Sequence, residues 1–535
     1  MKIKDFVFCL SLANLCFFKV YSELFAICSI PSNHYYVRAL PSRIDYLAFI
    51  VNVLLLAFFL WACIWVAHRL KYSLLSKFGR LGFAFLLTIP IFWFSWEFGR
   101  IPLWILGEMS LWGNFLSRVF PPVVLWGLGG LGLVSIVAGS ILFIRWRYWV
   151  FQAAVITILI LSPFAALTLS RAAIHLFDDQ HSIRLANKPH APVSGKNRVA
   201  RAQVCVFLFD ELDYRLTFPE RPASIFLPEL DSFRRQAIFA LNAYPPANET
   251  MVSIPALVTG KRISGVEPIN ADELMIKIDG QKTSIPWSRL PNIFSESRYL
   301  GFDSGLVGWT HPYGRVLGKN LEECSWYELA NISNSTGDNL GSKIVNQFRT
   351  LLETPTFSVF GQSLTVKKSI ATYQNLLRDA FGILGRDDLA IIFIHFSIPH
   401  PPYIYDLGKS DFSLANNRYS GYTGNLVLVD RTLGEIRHYM EKNGTWDKSH
   451  IIITSDHGWR KSTKFDGKGD HRVPFLVKLA GQEETIDYQP AFNTLIIHDL
   501  ILALLRGQIA KPKRVVEWIH KNGKPLIPVE VPGVD

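Results

Sequence analysis

The chain has 535 residues, 49% hydrophobic and only 19% charged, with a formal net charge of +11 and a mean hydropathy of +0.20. That is too apolar for an ordinary soluble enzyme of this length. The excess lies before about residue 170, so the basic balance is read as inner loops facing anionic lipid, and nucleic acid is not an expected partner.

A bilayer core about 30 Å thick needs roughly 20 apolar residues per helix. Runs near residues 6–28, 46–67, 81–98, 121–144 and 149–169 are read as spans. The first holds Lys19 and Glu23, whose spacing of four lets them pair on one helix face. Short loops rich in Lys and Arg stay in the cytoplasm. With the N-terminus inside, the inner segments carry Lys2, Lys4, Arg69, Lys71, Lys77, Arg80, Arg145 and Arg147, against Arg38, Arg43, Arg100 and Arg118 outside. An odd number of spans then delivers everything after about Ser170 outside. The expectation is an α-helical transmembrane domain over residues 1–172, a linker over 173–200, and a globular domain over 201–535.

Of six cysteines, only Cys205 and Cys324 lie in the globular half. At most one bridge could join them, and Cys205 sits in an apolar strand where a thiol packs as core.

From Arg201 short apolar runs alternate with longer periodic segments, the pattern of an α/β domain around a mostly parallel sheet. The clearest strands are VCVFLF (204–209), LAIIFIHF (389–396), HIIIT (450–454) and VPFLVK (473–478). Near-continuous hydrophobicity marks strands covered on both faces, and ligands in such sheets bind at the carboxyl ends of the strands. Those ends carry Asp210 and Glu211, His395 and His400, and Asp456 with His457; His471 precedes the run 473–478. Carboxylates and imidazoles gathered there suit a divalent metal, although a single acid at a strand end is more often a helix cap and a single His more often a hydrogen-bond partner.

The order VFLFDE, Thr250 with LVTG seven residues on, HFSIPHPPY, SDHG and HRVPF resembles the alkaline phosphatase superfamily in its sulfatase-like branch. The likeness covers nearly all of 201–506 and includes GYTGNLVLVDRTLGEI (421–436), similar to the tyrosine-to-aspartate helix of those proteins. Laying Leu257, Thr259 and Gly260 on the sulfatase stretch C-x-P-S-R-x-x-L-x-T-G puts Thr250 on the modified cysteine. Threonine cannot form the formylglycine hydrate that expels sulfate, and Trp309 stands where the sulfate-binding lysine is expected, with His311 in register. Sulfate-ester chemistry of that kind is therefore disfavoured.

NETMVSIP is similar to the threonine segment of membrane phosphoethanolamine transferases, and phosphoglycerol transferases share the five-span plan. The resemblance implies metal held by Asp210, Thr250, Asp456 and His457, with Glu211 as a further acid. Carboxylate and imidazole donors make zinc the expected ion in preference to manganese or calcium. His311, His395, His400 and His471 would face substrate, with Thr250, His400 and His471 catalytic. A hydroxyl beside a divalent cation loses its proton readily, which suits attack on phosphorus. The expectation is thus a transferase moving a phospho-head-group from a phospholipid donor, through a phosphothreonine, to an envelope glycan or lipid. The alternatives are a sulfatase-like hydrolase or phosphodiesterase, with water as acceptor, and a non-catalytic membrane binding protein. Sequons occur at Asn248, Asn331, Asn334 and Asn443, but a glycan on Asn248 would crowd Thr250, so a bacterial inner membrane with a periplasmic or extracellular catalytic domain is preferred.

Overall fold

The computed structural model describes residues 3–26, 36–38, 40–69, 152, 155–177, 202–271, 273–328, 339–350, 358–414 and 420–531. Contacts divide the chain into two units: residues 1–25, 41–182 and 334–352, and residues 26–40, 183–333 and 353–535. The division is not one cut in the sequence, since each unit takes a short segment from the other's stretch.

In the first unit, helix Arg43–Arg69 starts where Ser42 N and Ser42 Oγ donate to Asp45 Oδ2 at 2.7 and 2.6 Å. The other oxygen of Asp45 accepts from Lys343 Nζ at 2.6 Å, and both side chains are buried. Gln347 Nε2 donates to the Asp45 carbonyl at 2.8 Å, and Asn52 Nδ2 reaches Gln347 Oε1 at 3.2 Å. Breaking one partner of a buried pair costs more than the pair contributes, so these polar groups fix helix Leu340–Thr350 in this unit. Leu55, Phe58, Phe59 and Trp65 of the longer helix are exposed.

Among the described residues one stretch, Arg43–Val66, is long and apolar enough to cross a bilayer, within the helix expected over 46–67. The stretch read as a first span is instead two short helices, Ile3–Cys16 and Phe18–Ala26, and Lys19 and Glu23 fall in the second. The expected spans 81–98 and 121–144 lie outside the described residues. Helix Ser162–Phe177 carries the end of the fifth and runs on into the stretch read as linker. One candidate span, rather than a five-helix domain, is what the described residues hold.

The second unit is built on an eight-stranded sheet. Its strands are β1 (Val204–Asp210), β2 (Ile238–Ala240), β3 (Asp303–Trp309), β4 (Glu323–Tyr327), β5 (Leu389–Pro399), β6 (His450–Thr454), β7 (Phe475–Lys478) and β8 (Ile486–Tyr488). They lie in the order β8-β2-β7-β6-β1-β5-β3-β4. Only β7 runs against the others: its pairings with β6 and β2 are antiparallel and every other pairing is parallel.

β1 shows why the run VCVFLF is apolar throughout. Val204, Val206 and Leu208 enter one core, with helices Thr250–Thr259, Ile293–Tyr299 and Ile497–Leu505. Cys205, Phe207 and Phe209 enter the other, with helices Ser358–Leu384 and Ser420–Lys442. Alternate residues of a strand point to opposite faces, and here both faces are dry. Cys205 and Cys324 are both free thiols, so no bridge joins them.

Helix Ser420–Lys442 also serves a remote helix end. Asp430 Oδ1 accepts from Leu230 N at 2.8 Å, inside the first turn of helix Pro228–Arg234, whose start lacks a side-chain cap of its own. Burial pushes the Asp430 carboxyl up to about 6. Between the ordinary carboxylate value and that pH the native form keeps a proton that the unfolded chain has released, so stability falls as pH rises through the window. Asp430→Asn does not titrate. Its stability relative to wild type is expected to improve by up to about 3 kcal/mol between pH 4 and pH 7, read from urea midpoints; a pH-independent difference contradicts the assignment.

Candidate metal centre

Parallel strands present their carboxyl ends on one edge, and the register brings particular residues level. Leu208 pairs with both His395 and Thr454, and Asp210 pairs with Pro399 after a bulge. Asp210 ends β1, Asp456 and His457 follow β6, His400 follows β5, and His311 follows β3. Thr250 is the first residue of the buried helix Thr250–Thr259, which Gly260 ends in a left-handed cap.

Asp210, Asp456 and His457 are buried, and each offers a ligand atom within 4.8 Å of the others. Asp456 Oδ1 is satisfied by the N–H groups of His457, at 2.9 Å, and Glu211, at 3.3 Å. That leaves Asp456 Oδ2 and Asp210 Oδ1 buried without hydrogen-bond partners. His457 Nδ1 lies 2.9 Å from the Gly458 carbonyl, which keeps the proton on that nitrogen and turns the Nε2 lone pair inward. Thr250 Oγ1 lies 3.1 Å from His457 Nε2 and 3.3 Å from Asp210 Oδ2. Two orphaned carboxylate oxygens and an imidazole nitrogen are the donors a divalent cation needs, and the imidazole points to a transition ion over magnesium or calcium.

The electrostatics follow from burial. Burial and the charge on Asp210 raise the Asp456 carboxyl above the ordinary range. Burial also works to raise Asp210, but His400, His395 and His457 hold it well below that range. Burial lowers the His457 imidazole; Asp456 and Asp210 outweigh it and raise the group overall. Ser455 ties the two ligand loops together: its Oγ accepts from Leu212 N at 2.9 Å and lies 2.7 Å from the Phe209 carbonyl.

The four other histidines separate. His395 is fully buried, with Nε2 3.4 Å from Asp210 Oδ2 and Nδ1 2.8 Å from Tyr313 OH. His311 Nε2 meets the Thr250 carbonyl at 3.1 Å, edge-on to Trp287, and burial lowers it to about 3. His400 packs edge-on to Trp309 at 4.9 Å, and its backbone N donates to the Asp210 carbonyl at 3.1 Å. His471, in contrast, is exposed and not among the three clustered ligands, although β7 begins at the same edge, Phe475 pairing with Thr454. Glu211 is buried beside the centre, but its carboxylate accepts from Arg460 Nε at 2.8 Å and is not among the three clustered ligands. Arg460 carried no expectation from the sequence; its signal was a cation three residues past His457.

A family model described as Sulfatase matches residues 217–505, starting seven residues after Asp210, so that ligand is joined to the match by geometry. A multifunctional alkaline phosphatase superfamily protein, PehA of Trinickia caryophylli, is 34% identical over 74 residues, covering 11% of this chain and 13% of that protein. The chain thus spans only a small part of that curated relative's length. Among solved structures, i-CgsB of Ps is 15% identical with a TM-score of 0.43, covering 61% of this chain and 77% of that one. The phosphonate monoester hydrolase of Agrobacterium radiobacter is 15% identical at a TM-score of 0.37, covering 58% and 78%. The family matched is that of sulfatases, which favours hydrolysis and overturns the expectation of a phospho-head-group transferase; the specific likeness to phosphoethanolamine and phosphoglycerol transferases finds no support among these matches. The buried triad generates its own test. Purified protein is expected to carry a divalent transition metal by elemental analysis, and Asp456→Asn or His457→Ala to lose about 10-fold or more in metal affinity; wild-type protein that takes up no metal contradicts the centre. By a match over more than half of its length, the chain belongs to the sulfatase family.

Proposed function

We propose that this protein is a metal-dependent hydrolase of anionic phosphorus esters, with Thr250 as nucleophile and water as final acceptor. One observation carries the reading: a threonine hydroxyl at the start of a buried helix touches both His457 and Asp210 at hydrogen-bond range. Asp210, Asp456 and His457 would hold a divalent cation, zinc by the donor set, with Thr250 beside it; that ion would supply charge neutralisation and ease loss of the hydroxyl proton.

Thr250 Oγ1 donates toward Asp210 Oδ2, whose carboxylate stays ionised in the ordinary working range. Attack forms an Oγ1–phosphorus bond as the hydroxyl proton passes to Asp210 Oδ2 and the bond to the leaving alcohol breaks, and His400 gives that oxygen a proton. Water then attacks the phosphothreonine, losing a proton to His400, as the Oγ1–phosphorus bond breaks and Asp210 returns its proton to Oγ1, which releases the phosphoryl product and restores the hydroxyl. The first turn of helix Thr250–Thr259 leaves backbone N–H groups without intrahelical acceptors, an arrangement that favours an anion there. His311 would hold Thr250 through its carbonyl. A sulfate ester is the weaker substrate, because threonine offers only one hydroxyl and no hydrate.

The apolar stretch Arg43–Val66 supports an anchored enzyme, and the charge bias supports a multi-pass inner-membrane protein with its catalytic unit outside the cytoplasm. An enzyme so held would act on a phospholipid or an envelope ester that diffuses in the same sheet.

Thr250→Ala is expected to lower kcat on a chromogenic phosphodiester by about 10³-fold or more, the scale of losing a nucleophile, whereas Thr250→Ser keeps measurable turnover. Mass spectrometry of quenched wild-type reactions is expected to find a phosphorylated peptide containing Thr250. Undiminished hydrolysis by the alanine variant would remove threonine from the mechanism.

A further inference from the structure

The arginine beside the centre has donors to spare. Arg460 lies in the loop between β6 and helix Ser462–Asp466, four residues past Asp456. Its Nε donates to Glu211 Oε1 at 2.8 Å, and its Nη2 stands 3.5 Å from His400 Nε2, too long for a strong bond. Its Nη1 has no hydrogen-bond partner among the described residues. The side chain is 26% exposed while that of Glu211 is 3% exposed, so the carboxylate end is sealed and the forked end faces solvent. The guanidinium acts on Asp210, Asp456 and His457 through its field.

Glu211 is held for this task. Its backbone takes a left-handed conformation, φ 63°, that side chains rarely adopt. Three bonds keep it there: Glu211 N to Asp456 Oδ1 at 3.3 Å, Tyr422 OH to the Glu211 carbonyl at 2.7 Å, and the Arg460 pair itself. Tyr422 is fixed in turn by stacking on Trp459 at 3.9 Å.

We propose that Arg460 is a clamp for a nonbridging oxygen of the substrate, and that Glu211 is the positioning residue that aims it rather than a metal ligand. This rests on the phosphorus-ester reading and deepens it. Asp210, Asp456 and Glu211 oppose one guanidinium and one divalent cation, leaving no spare positive charge. With no positive charge in excess, a substrate of one negative charge, as a phosphodiester is, leaves less charge unneutralised than one of two. Planar N–H forks suit such oxygens better than an ammonium does.

The test uses the full-length protein with three variants, Arg460→Ala, Arg460→Lys and Glu211→Gln, and inorganic phosphate as the binding probe. Loss of a charge-assisted bond is expected to weaken phosphate binding and raise KM by about 10- to 100-fold in Arg460→Ala, with partial recovery in Arg460→Lys. Glu211→Gln is expected to raise KM while its metal content stays at the wild-type level, unlike Asp456→Asn. Phosphate binding unchanged in Arg460→Ala overturns the clamp, and metal loss in Glu211→Gln overturns the positioning role. Wild-type enzyme is expected to prefer bis-(p-nitrophenyl) phosphate to p-nitrophenyl phosphate at neutral pH; the reverse preference overturns the charge class. If wild type cleaves neither ester, the hydrolase reading falls, and phosphate binding with metal content still decides the clamp.

Discussion

Two carboxylates, each with an oxygen stripped of water and of hydrogen bonds, stand within one ligand's reach of each other inside this protein. Like charges so placed repel strongly in a medium that screens poorly, and the arrangement is tolerable only with a compensating cation or a shared proton. The raised Asp456 beside the depressed Asp210 is that conflict expressed without an ion. Every surrounding feature serves to hold the two acids in place despite it: a buried helix start at Thr250, an imidazole locked by Gly458, and a serine bridging the two loops.

The sheet makes this placement inexpensive. β1 lies between β6 and β5 with all three parallel, so residues that immediately follow the three strands arrive on one edge. Asp210, Asp456 and His457, and His400 come from segments roughly 60 to 250 residues apart and need no long loops to meet. The two dry cores on either face of β1 supply the rigidity, since interdigitated side chains leave little room for the strand ends to shift.

What the sequence shows follows from the same physics. Strands buried on both faces must be apolar throughout, so 204–209, 389–396 and 450–454 stand out as runs, and the polar residues just past them stand out as an edge. The reversed direction of β7 does not, because VPFLVK is apolar whichever way it points. His471 reads as a site residue by its neighbourhood in the chain, yet only the path of the backbone decides that it meets solvent. The pair of Asp45 and Lys343 is silent in sequence for a related reason: nothing local tells a lysine in an amphipathic helix which distant acid it will bury against. Periodicity likewise measured apolar length in 6–28 without revealing that it folds as two short helices.

Glu211 shows where adjacency in sequence misleads. Next to Asp210 at a strand end it reads as a second ligand, since two acids in succession suggest two grips on one ion. The backbone at that point has left the extended conformation, however, and turns into the left-handed region at a cost of about 1–3 kcal/mol for a residue with a side chain. That turn sends the second carboxylate to Arg460 while Asp210 stays with the centre. A strained residue persists only where its surroundings over-determine it, and here the restraints come from Asp456, Tyr422 and Arg460 together. One of these is a candidate metal ligand, so relaxing the strain would disturb the centre directly; the left-handed turn is therefore part of how the site separates a charge that binds metal from a charge that aims an arginine.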